Sequence, residues 1–204
     1  MKNIVILISG GGSNMKSIAK RAQKAQWLER HHTQIALVLS NDPNAGGLAW
    51  AQSQGLKTQV LDHKGFLQEP EPRRAFEEAL IQTLAPHAPD LIVLAGFMRI
   101  LSPHFVGHYA GKMMNIHPSL LPAFTGLHTH KRAIEAGVKF AGASVHWVSE
   151  VLDAGRIIDQ AVVPVLPSDT EHSLASRVLT QEHVLYPRVI ENWIKQTAQS
   201  AQKG

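Results

Sequence analysis

The chain has 204 residues, which predicts one domain with a full core, and its 44% hydrophobic and 18% charged residues are typical of a soluble globular protein. The absence of cysteine excludes a thiolate nucleophile, a disulfide framework and a cysteine zinc site. A net charge of +4 carried by scattered basic residues favours a small anionic substrate over nucleic acid. Because no stretch is typical of a signal peptide or transmembrane helix, we expect a cytoplasmic protein with no membrane partner.

The first half of the chain alternates apolar strands with helices. A β-branched run at residues 4–8 is typical of a parallel strand buried on both faces, and a glycine-rich turn at 9–14 precedes a helix beginning at Met15. Free amide groups at such a helix N-terminus predict a phosphate site, although the spacing matches neither the dinucleotide fingerprint nor the P-loop. Further strands are predicted at 35–39, 58–61, 91–95 and 112–116, with helices at 45–54 and 73–84.

The second half predicts a short helix at residues 131–136, an antiparallel pair of strands at 143–148 and 156–165, and a terminal helix at 170–195 that Pro187 could bend. The order predicts an α/β fold: a Rossmann-like, doubly wound, mostly parallel sheet with a C-terminal antiparallel hairpin extension and a terminal helix. We predict a single domain over residues 1–195 and a polar tail over 196–204.

Candidate chemical groups follow the predicted strands, where ligands bind in doubly wound sheets. Asn115 and His117 share one face of a strand, and an amide with an imidazole can stabilise and protonate an oxyanion. Arg73 stands at a helix N-terminus, where a cation is unfavourable unless it serves another purpose. His128 and His130 resemble a metal pair, but they have no third ligand at suitable local spacing, so we predict no metal.

A set of motifs together resembles the folate-dependent phosphoribosylglycinamide formyltransferases of purine synthesis, over about residues 3–190: ISGGGSN, AGFMRILSP, NIHPSLLP, GLHTH, SVHWV, LDAG and QEH. The resemblance implies the formyltransferase fold and transfer of a formyl group from 10-formyltetrahydrofolate to the amine of 5-phosphoribosylglycinamide. The products would be formylglycinamide ribonucleotide and tetrahydrofolate, in de novo purine (IMP) biosynthesis. The implied partners are these small molecules alone, with the protein a monomer or homodimer.

The resemblance also implies roles for particular residues. The catalytic residues would be Asn115, His117 and Asp153. The substrate-binding residues would be Gly12, Ser13, Asn14, Pro118 and Glu182, the first three holding the ribose-phosphate and Glu182 the glycinamide. The cofactor-binding residues would be Arg73 at the folate tail, Met98, Arg99, Ile100 and Leu101 around the pterin, and Asn115, Ser149, Glu150, Val151, Leu152 and Asp153, of which the last five close over the pterin.

The implied mechanism is direct attack of the amine on the formyl carbon through a tetrahedral intermediate. Asn115 would donate a hydrogen bond to the oxyanion, and protonated His117 would act as general acid and electrostatic stabiliser. A nearby Asp153 would favour the imidazolium form of His117 and organise the proton relay. Without the resemblance, the alternative is that Asp153 is a turn residue of the L-D-A-G hairpin.

Three positions depart from the family pattern. Leu179 replaces a polar residue, often glutamine, that helps to hold the phosphate, and Ala143 replaces a common threonine. The family sequence D-G-G-P is here Asp153-Ala154-Gly155-Arg156, and an alanine would restrict the loop if that position needs a positive φ. Two alternative functions stay open: a 10-formyltetrahydrofolate deformylase, and a non-catalytic phosphate- or folate-binding module.

Overall fold

The computed structural model describes residues 1–201 and divides into two compact units, Met1–Met114 and the residues from Asn115 onward. The first unit contains β1 (Lys2–Ile8), α1 (Ser13–Lys24), α2 (Trp27–His31), β2 (Thr33–Ser40), α3 (Gly46–Ser53), β3 (Thr58–Val60), α4 (Pro72–Leu84), β4 (Leu91–Leu94) and α5 (Pro103–His108), with 3-10 turns at His63–Phe66 and Ala85–His87. Strand β5 (Met113–His117) contains the boundary. The second unit continues with α6 (Thr129–Glu135), β6 (Phe140–Trp147), β7 (Ile157–Pro164) and α7 (Glu171–Ala201).

The sheet has seven strands in the order β3-β2-β1-β4-β5-β6-β7. Strand β1 pairs in parallel with β2 and β4, β2 pairs in parallel with β3, and β6 pairs antiparallel with β7. This topology confirms the predicted fold class. Residues 4–8 of β1 are completely buried, as expected for a central parallel strand covered on both faces.

The strand order reverses direction between β1 and β4 in the first unit. Strands β2 and β3 lie on one side of β1, whereas β4 lies on the other side. In open α/β sheets, such a switch leaves a crevice beyond the carboxyl ends of the two strands. The segments that follow β1 and β4 are residues 9–12 and 95–101, so the glycine-rich turn and the predicted pterin segment both begin at this switch.

Helix α7 packs on β6 and β7 in the second unit. Its buried side chains recur at helical spacing and include Leu174, Val178, Leu185 and Val189. Asp169 secures the start of the helix, because Arg177 donates to both of its carboxylate oxygens, at 2.7 and 2.8 Å. These bonds hold the pKa of Asp169 well below its usual range.

Several element boundaries differ from those predicted. Strand β6 begins at Phe140 rather than residue 143, and α7 contains Pro187 and extends to Ala201, into the predicted tail. Residues 202–204 of that tail lie outside the described residues. Helix α2 has five residues, too few for a periodic pattern, and depends on the burial of Trp27.

Candidate active site

In the first unit, a glycine-rich turn at residues 9–12 connects β1 to α1. Gly12 has a φ of 65°, a conformation that glycine adopts without strain. The N–H group of Gly47 donates to the Gly10 carbonyl at 3.0 Å, and a Cβ on Gly47 would approach that oxygen and the Gly11 carbonyl carbon at 3.0 and 3.3 Å. Glycine therefore permits both the conformation of the turn and the close packing of α3 against it.

The three residues predicted to bind phosphate lie at the start of α1. Gly12 is the N-cap residue and forms no side-chain cap bond, Ser13 is exposed, and Asn14 is buried. The first N–H groups of a helix have no partner within it, and the helix dipole favours a negative charge there. This arrangement suits a phosphate group, as the sequence predicts.

The segment at residues 98–101 follows β4 in irregular conformation. The N–H group of Met98 donates to Ser9 Oγ at 2.7 Å, which connects the segment to the end of β1. The Met98 and Ile100 side chains are 73% and 67% exposed, so these apolar groups are not part of the core. Two exposed apolar side chains near a sheet switch point can form the wall of a flat ligand pocket.

In the second unit, the predicted catalytic residues His117 and Asp153 are buried together. His117 Nδ1 lies 3.5 Å from Asp153 Oδ2, and His117 Nε2–H donates to the Phe124 carbonyl at 2.9 Å. Asp153 Oδ2 also accepts the N–H group of Gly126 at 2.8 Å. Both ring nitrogens of His117 therefore face oxygen acceptors, and a ring nitrogen can bond to such an acceptor only when it carries a hydrogen.

Asn115 is held by a residue to which the sequence analysis gave no role, His146 of β6. Asn115 Nδ2 lies 3.2 Å from His146 Nε2, and His146 Nδ1 lies 3.0 Å from the Trp147 carbonyl oxygen. The carbonyl can only accept, so Nδ1 carries the proton and Nε2 accepts from the amide. This fixes the orientation of the Asn115 side chain. The alternation in β6, which places His146 on one face with Ser144, is the sequence signal that could have indicated it.

His146 favours the neutral form, because burial lowers its pKa below the ordinary value of 6.5, although its bond to the Trp147 carbonyl and the charge of Asp153 oppose this. The unfolded chain therefore binds this proton more tightly than the folded chain. We therefore expect His146 to leave the unfolding free energy unaffected well above about pH 6.5 and to lower it as the pH falls below that value.

Urea unfolding of the wild type and of His146→Gln between neutral pH and about pH 5 measures this dependence. The variant should show a shallower slope. Some slope should remain, because burial also lowers the pKa of His130. Identical slopes in the two proteins would show that His146 is not a source of the pH dependence.

The loop at residues 149–153 precedes β7 and exposes Val151 and Leu152, at 67% and 56%. Ser149 Oγ donates to the Val151 carbonyl at 2.9 Å within this loop, and Glu150 is exposed. Asp153 itself has a φ of 54°, whereas Ala154 is not among the residues with positive φ. The alanine that departs from the family pattern is therefore not strained. The residue in the left-handed conformation is Asp153, which is predicted to be catalytic.

Gly155 has no room for a side chain, because a Cβ there would collide with the Trp147 carbonyl oxygen. We expect Gly155→Ala to lower the unfolding free energy by about 1–3 kcal/mol, the usual cost of overpacking. Gly107→Ala is the matched control, since a Cβ there meets no atom within 4 Å in α5 and alanine favours a helix. Urea unfolding measures the unfolding free energy of both variants, and equal values would contradict the predicted collision.

The loop after His117 is held by side chains of the β6–β7 hairpin. Ser144 Oγ donates to the Ser119 carbonyl at 2.7 Å and accepts the Leu121 N–H at 3.0 Å. Gln160 Nε2 donates to the Leu121 carbonyl at 3.0 Å. Pro118, predicted to contact the substrate, begins this loop, and the fixed φ of proline restricts the backbone there as well.

Glu182 and Leu179 are three residues apart in α7, so their side chains lie on neighbouring positions of one helix face. Glu182 is buried, and Leu179 is 37% exposed. The departure at Leu179 therefore places an apolar group at the surface, where it fills no core position.

Among residues 1–201, no group of three or more histidine, aspartate or glutamate side chains is placed to hold a metal ion. Across the same residues, no helix combines the length and the apolar character that crossing a membrane requires.

The chain has a doubly wound α/β sheet, and the side chains of Asn115, His117 and Asp153 are of the kinds that enzymes use for acid–base and oxyanion chemistry. Comparisons with known proteins are more specific: a family model described as formyl transferase matches residues 2–190. Phosphoribosylglycinamide formyltransferase of Escherichia coli (strain K12) is 47% identical over 188 residues, covering 92% of this chain and 85% of that protein. The crystal structure of phosphoribosylglycinamide formyltransferase from Brucella melitensis matches with a TM-score of 0.85 and 47% identity, covering 95% of each chain.

The trifunctional purine biosynthetic protein adenosine-3 of Drosophila melanogaster is 42% identical over 198 residues, and this chain spans 14% of its length. The chain therefore belongs to the formyl transferase family. These matches confirm the family resemblance that the sequence motifs indicated.

Proposed function

We propose that this chain is a phosphoribosylglycinamide formyltransferase, which transfers the formyl group of 10-formyltetrahydrofolate to the amine of 5-phosphoribosylglycinamide in purine synthesis. The main support is its 47% identity, over 92% of its length, to an enzyme of that name from Escherichia coli. The buried pair of His117 and Asp153, with the oriented amide of Asn115, is the chemical equipment such a transfer needs.

The residues assigned to the folate cofactor suit its chemistry. Met98 and Ile100 present exposed apolar surface, and the Arg73 side chain, half exposed, offers a cation. A flat pterin with a carboxylate tail requires both features. We assign the cofactor to these residues, to Arg99 and Leu101, and to Asn115 and residues 149–153. When bound, the cofactor supplies the activated formyl group.

Asn115 would stabilise the oxyanion that forms when the amine attacks the formyl carbon. An amide nitrogen carries two hydrogens, and one of them points to His146 Nε2. We assign the second hydrogen to the oxyanion. Because His146 fixes the amide before substrate binds, little reorganisation is needed during the reaction, which is the condition under which such donors are most effective.

His117 would supply positive charge, and a proton that it gives to the leaving nitrogen is replaced by the proton lost from the attacking nitrogen. Its Nδ1 faces the Asp153 carboxylate, which would hold the ring in place, and a protonated ring would attract the developing oxyanion. The proton lost by the attacking nitrogen must reach the leaving nitrogen. We propose that Asp153 positions a water molecule that carries this proton. This sequence of steps involves no covalent enzyme intermediate and no metal.

Gly12, Ser13 and Asn14 would bind the phosphate of the ribonucleotide at the start of α1, with Pro118 and Glu182 contacting the rest of the substrate. Both substrates are small molecules, so the proposal includes no nucleic acid or membrane. The cytoplasmic location and the monomeric or homodimeric state remain predictions from the sequence.

The experiment is an absorbance assay of the purified chain with 10-formyl-5,8-dideazafolate, with and without glycinamide ribonucleotide. We expect the cofactor to be consumed only when the ribonucleotide is present, with formylglycinamide ribonucleotide as the product. Equal consumption without the ribonucleotide would identify a deformylase. Cofactor binding without any consumption would favour the non-catalytic module.

A further inference from the structure

The segment at residues 98–101 is held at both ends by side chains of the first unit. At its start, Met98 N–H donates to Ser9 Oγ at 2.7 Å, and Ser9 Oγ–H donates to Asn41 Oδ1 at 2.5 Å. Just beyond its end, Ser102 N–H donates to Glu77 Oε1 at 2.7 Å. An irregular segment with two fixed ends keeps its shape although its apolar side chains are exposed.

Glu77 is the less expected of these anchors, because its carboxylate is 1% exposed in the middle of α4. A buried carboxylate is costly unless its oxygens accept hydrogen bonds or face a cation. Glu77 Oε2 accepts the hydroxyl of Ser102, and Arg73 Nε lies 3.4 Å from Glu77 Oε1. One carboxylate thus contacts both the end of the segment and the Arg73 side chain.

The same groups border a cavity of about 470 Å³ at the start of α4. Its lining includes Arg73, Glu77, Ser102 and His104. The Arg73 side chain is 50% exposed, so its guanidinium is accessible to a ligand while its Nε is directed toward Glu77. The contact with the Glu77 carboxylate therefore restrains the Arg73 side chain beside the cavity.

We propose that Glu77 is a positioning residue for the formyl donor, holding Arg73 for the tail carboxylate and residues 98–101 for the pterin. The inference rests on the proposed function, and it adds a residue that neither the motifs nor the comparisons assign. Glu77 does not touch the cofactor. It acts through Arg73 and Ser102, so one buried carboxylate contacts the residues proposed to bind both ends of the cofactor.

A purely structural role for Glu77 makes a different prediction. Ser102 caps α5, since its Oγ accepts the Phe105 N–H at 3.4 Å, so loss of Glu77 could simply weaken the helix. That role would lower stability and leave cofactor affinity unchanged in the folded protein. A positioning role instead raises the KM for the cofactor and leaves the KM for the ribonucleotide unchanged.

The test is Glu77→Gln, with Glu78→Gln as the matched control on the same helix. Glu78 is partly exposed, and its Oε1 lies 2.8 Å from Nε2 of His104, another residue of the cavity lining. We expect Glu77→Gln to raise the KM for 10-formyltetrahydrofolate about tenfold, the loss expected for one hydrogen bond to a charged group, and to change kcat and the KM for the ribonucleotide less than about twofold. Glu78→Gln should change none of these more than about twofold.

Two further measurements keep the test decisive. If Glu77→Gln shows no cooperative unfolding, Ser102→Ala is measured in its place. Ser102→Ala loses the hydroxyl hydrogen bond to Glu77 and keeps the backbone hydrogen bond. We expect the cofactor KM of this variant to rise about threefold. A cofactor analogue without the glutamate tail should lose little affinity on Arg73→Ala, and it should still bind more weakly to Glu77→Gln through the displaced segment.

A cofactor KM in folded Glu77→Gln equal to that of the wild type would overturn the inference, as would an equal rise in Glu78→Gln. Fluorescence titration with 10-formyl-5,8-dideazafolate gives the Kd without turnover. If the wild type binds this compound but transfers no formyl group, the proposed transferase function fails while the role of Glu77 is still measured. If it does not bind at all, both proposals fail.

Discussion

Replacing Asp153 by asparagine is expected to lower kcat by roughly 10²- to 10⁴-fold, the usual contribution of general acid–base catalysis. The amide removes the negative charge that lies 3.5 Å from His117 Nδ1 and cannot act as a base in the proton relay. The fold should survive, because asparagine can still accept the Gly126 N–H and tolerates the left-handed conformation. Steady-state kinetics with saturating substrates measure the effect, and circular dichroism and thermal unfolding verify the fold.

Asp159→Asn is the matched control for this prediction. Asp159 pairs with Arg188 at 2.8 Å on partly exposed surface, so the same chemical change is made outside the group of Asn115, His117 and Asp153. Its kcat should stay within about twofold of the wild type, and its stability within about 1 kcal/mol. If Asp153→Asn keeps kcat within about tenfold of the wild type while correctly folded, the assigned role of the carboxylate is wrong.

Removing the amide of Asn115 is expected to have the second largest effect. Loss of one oxyanion donor typically costs about 2.7–4 kcal/mol of transition-state stabilisation, so kcat in Asn115→Ala should fall roughly 10²- to 10³-fold. The KM values should change much less, because the ground-state formyl group carries no full negative charge. The kcat and KM values of this variant, measured separately for each substrate, provide the test.

Asn44→Ala, at an exposed position after β2, is the control and should leave both kinetic constants unchanged. A fall in kcat/KM that comes from KM alone would mean that Asn115 binds the ground state and does not act on the oxyanion. His146→Gln gives an additional comparison, since a glutamine that only partly replaces the imidazole acceptor should give an intermediate kcat. Equal kcat values in His146→Gln and wild type would show that the amide needs no such support.

The sequence by itself determined the fold class, because each strand carries its signal locally. The β-branched run at residues 4–8 needs no knowledge of its neighbours to indicate a buried parallel strand, and the glycines at 10–12 indicate a tight turn before a helix. The motifs around Asn115 and His117 also indicated the family, since they depend on residue order alone.

The tertiary structure decided which atoms meet. Asn115 and His146 are 31 residues apart, and Gly126 and Asp153 are 27 apart, so their contacts depend on the packing of distant strands and loops. Periodicity places a side chain on a face but does not say which acceptor a ring nitrogen finds there. For the same reason, nothing in the sequence distinguishes Glu77 from other glutamates of a helix. Only the burial of its carboxylate against Ser102 and Arg73 indicates a role.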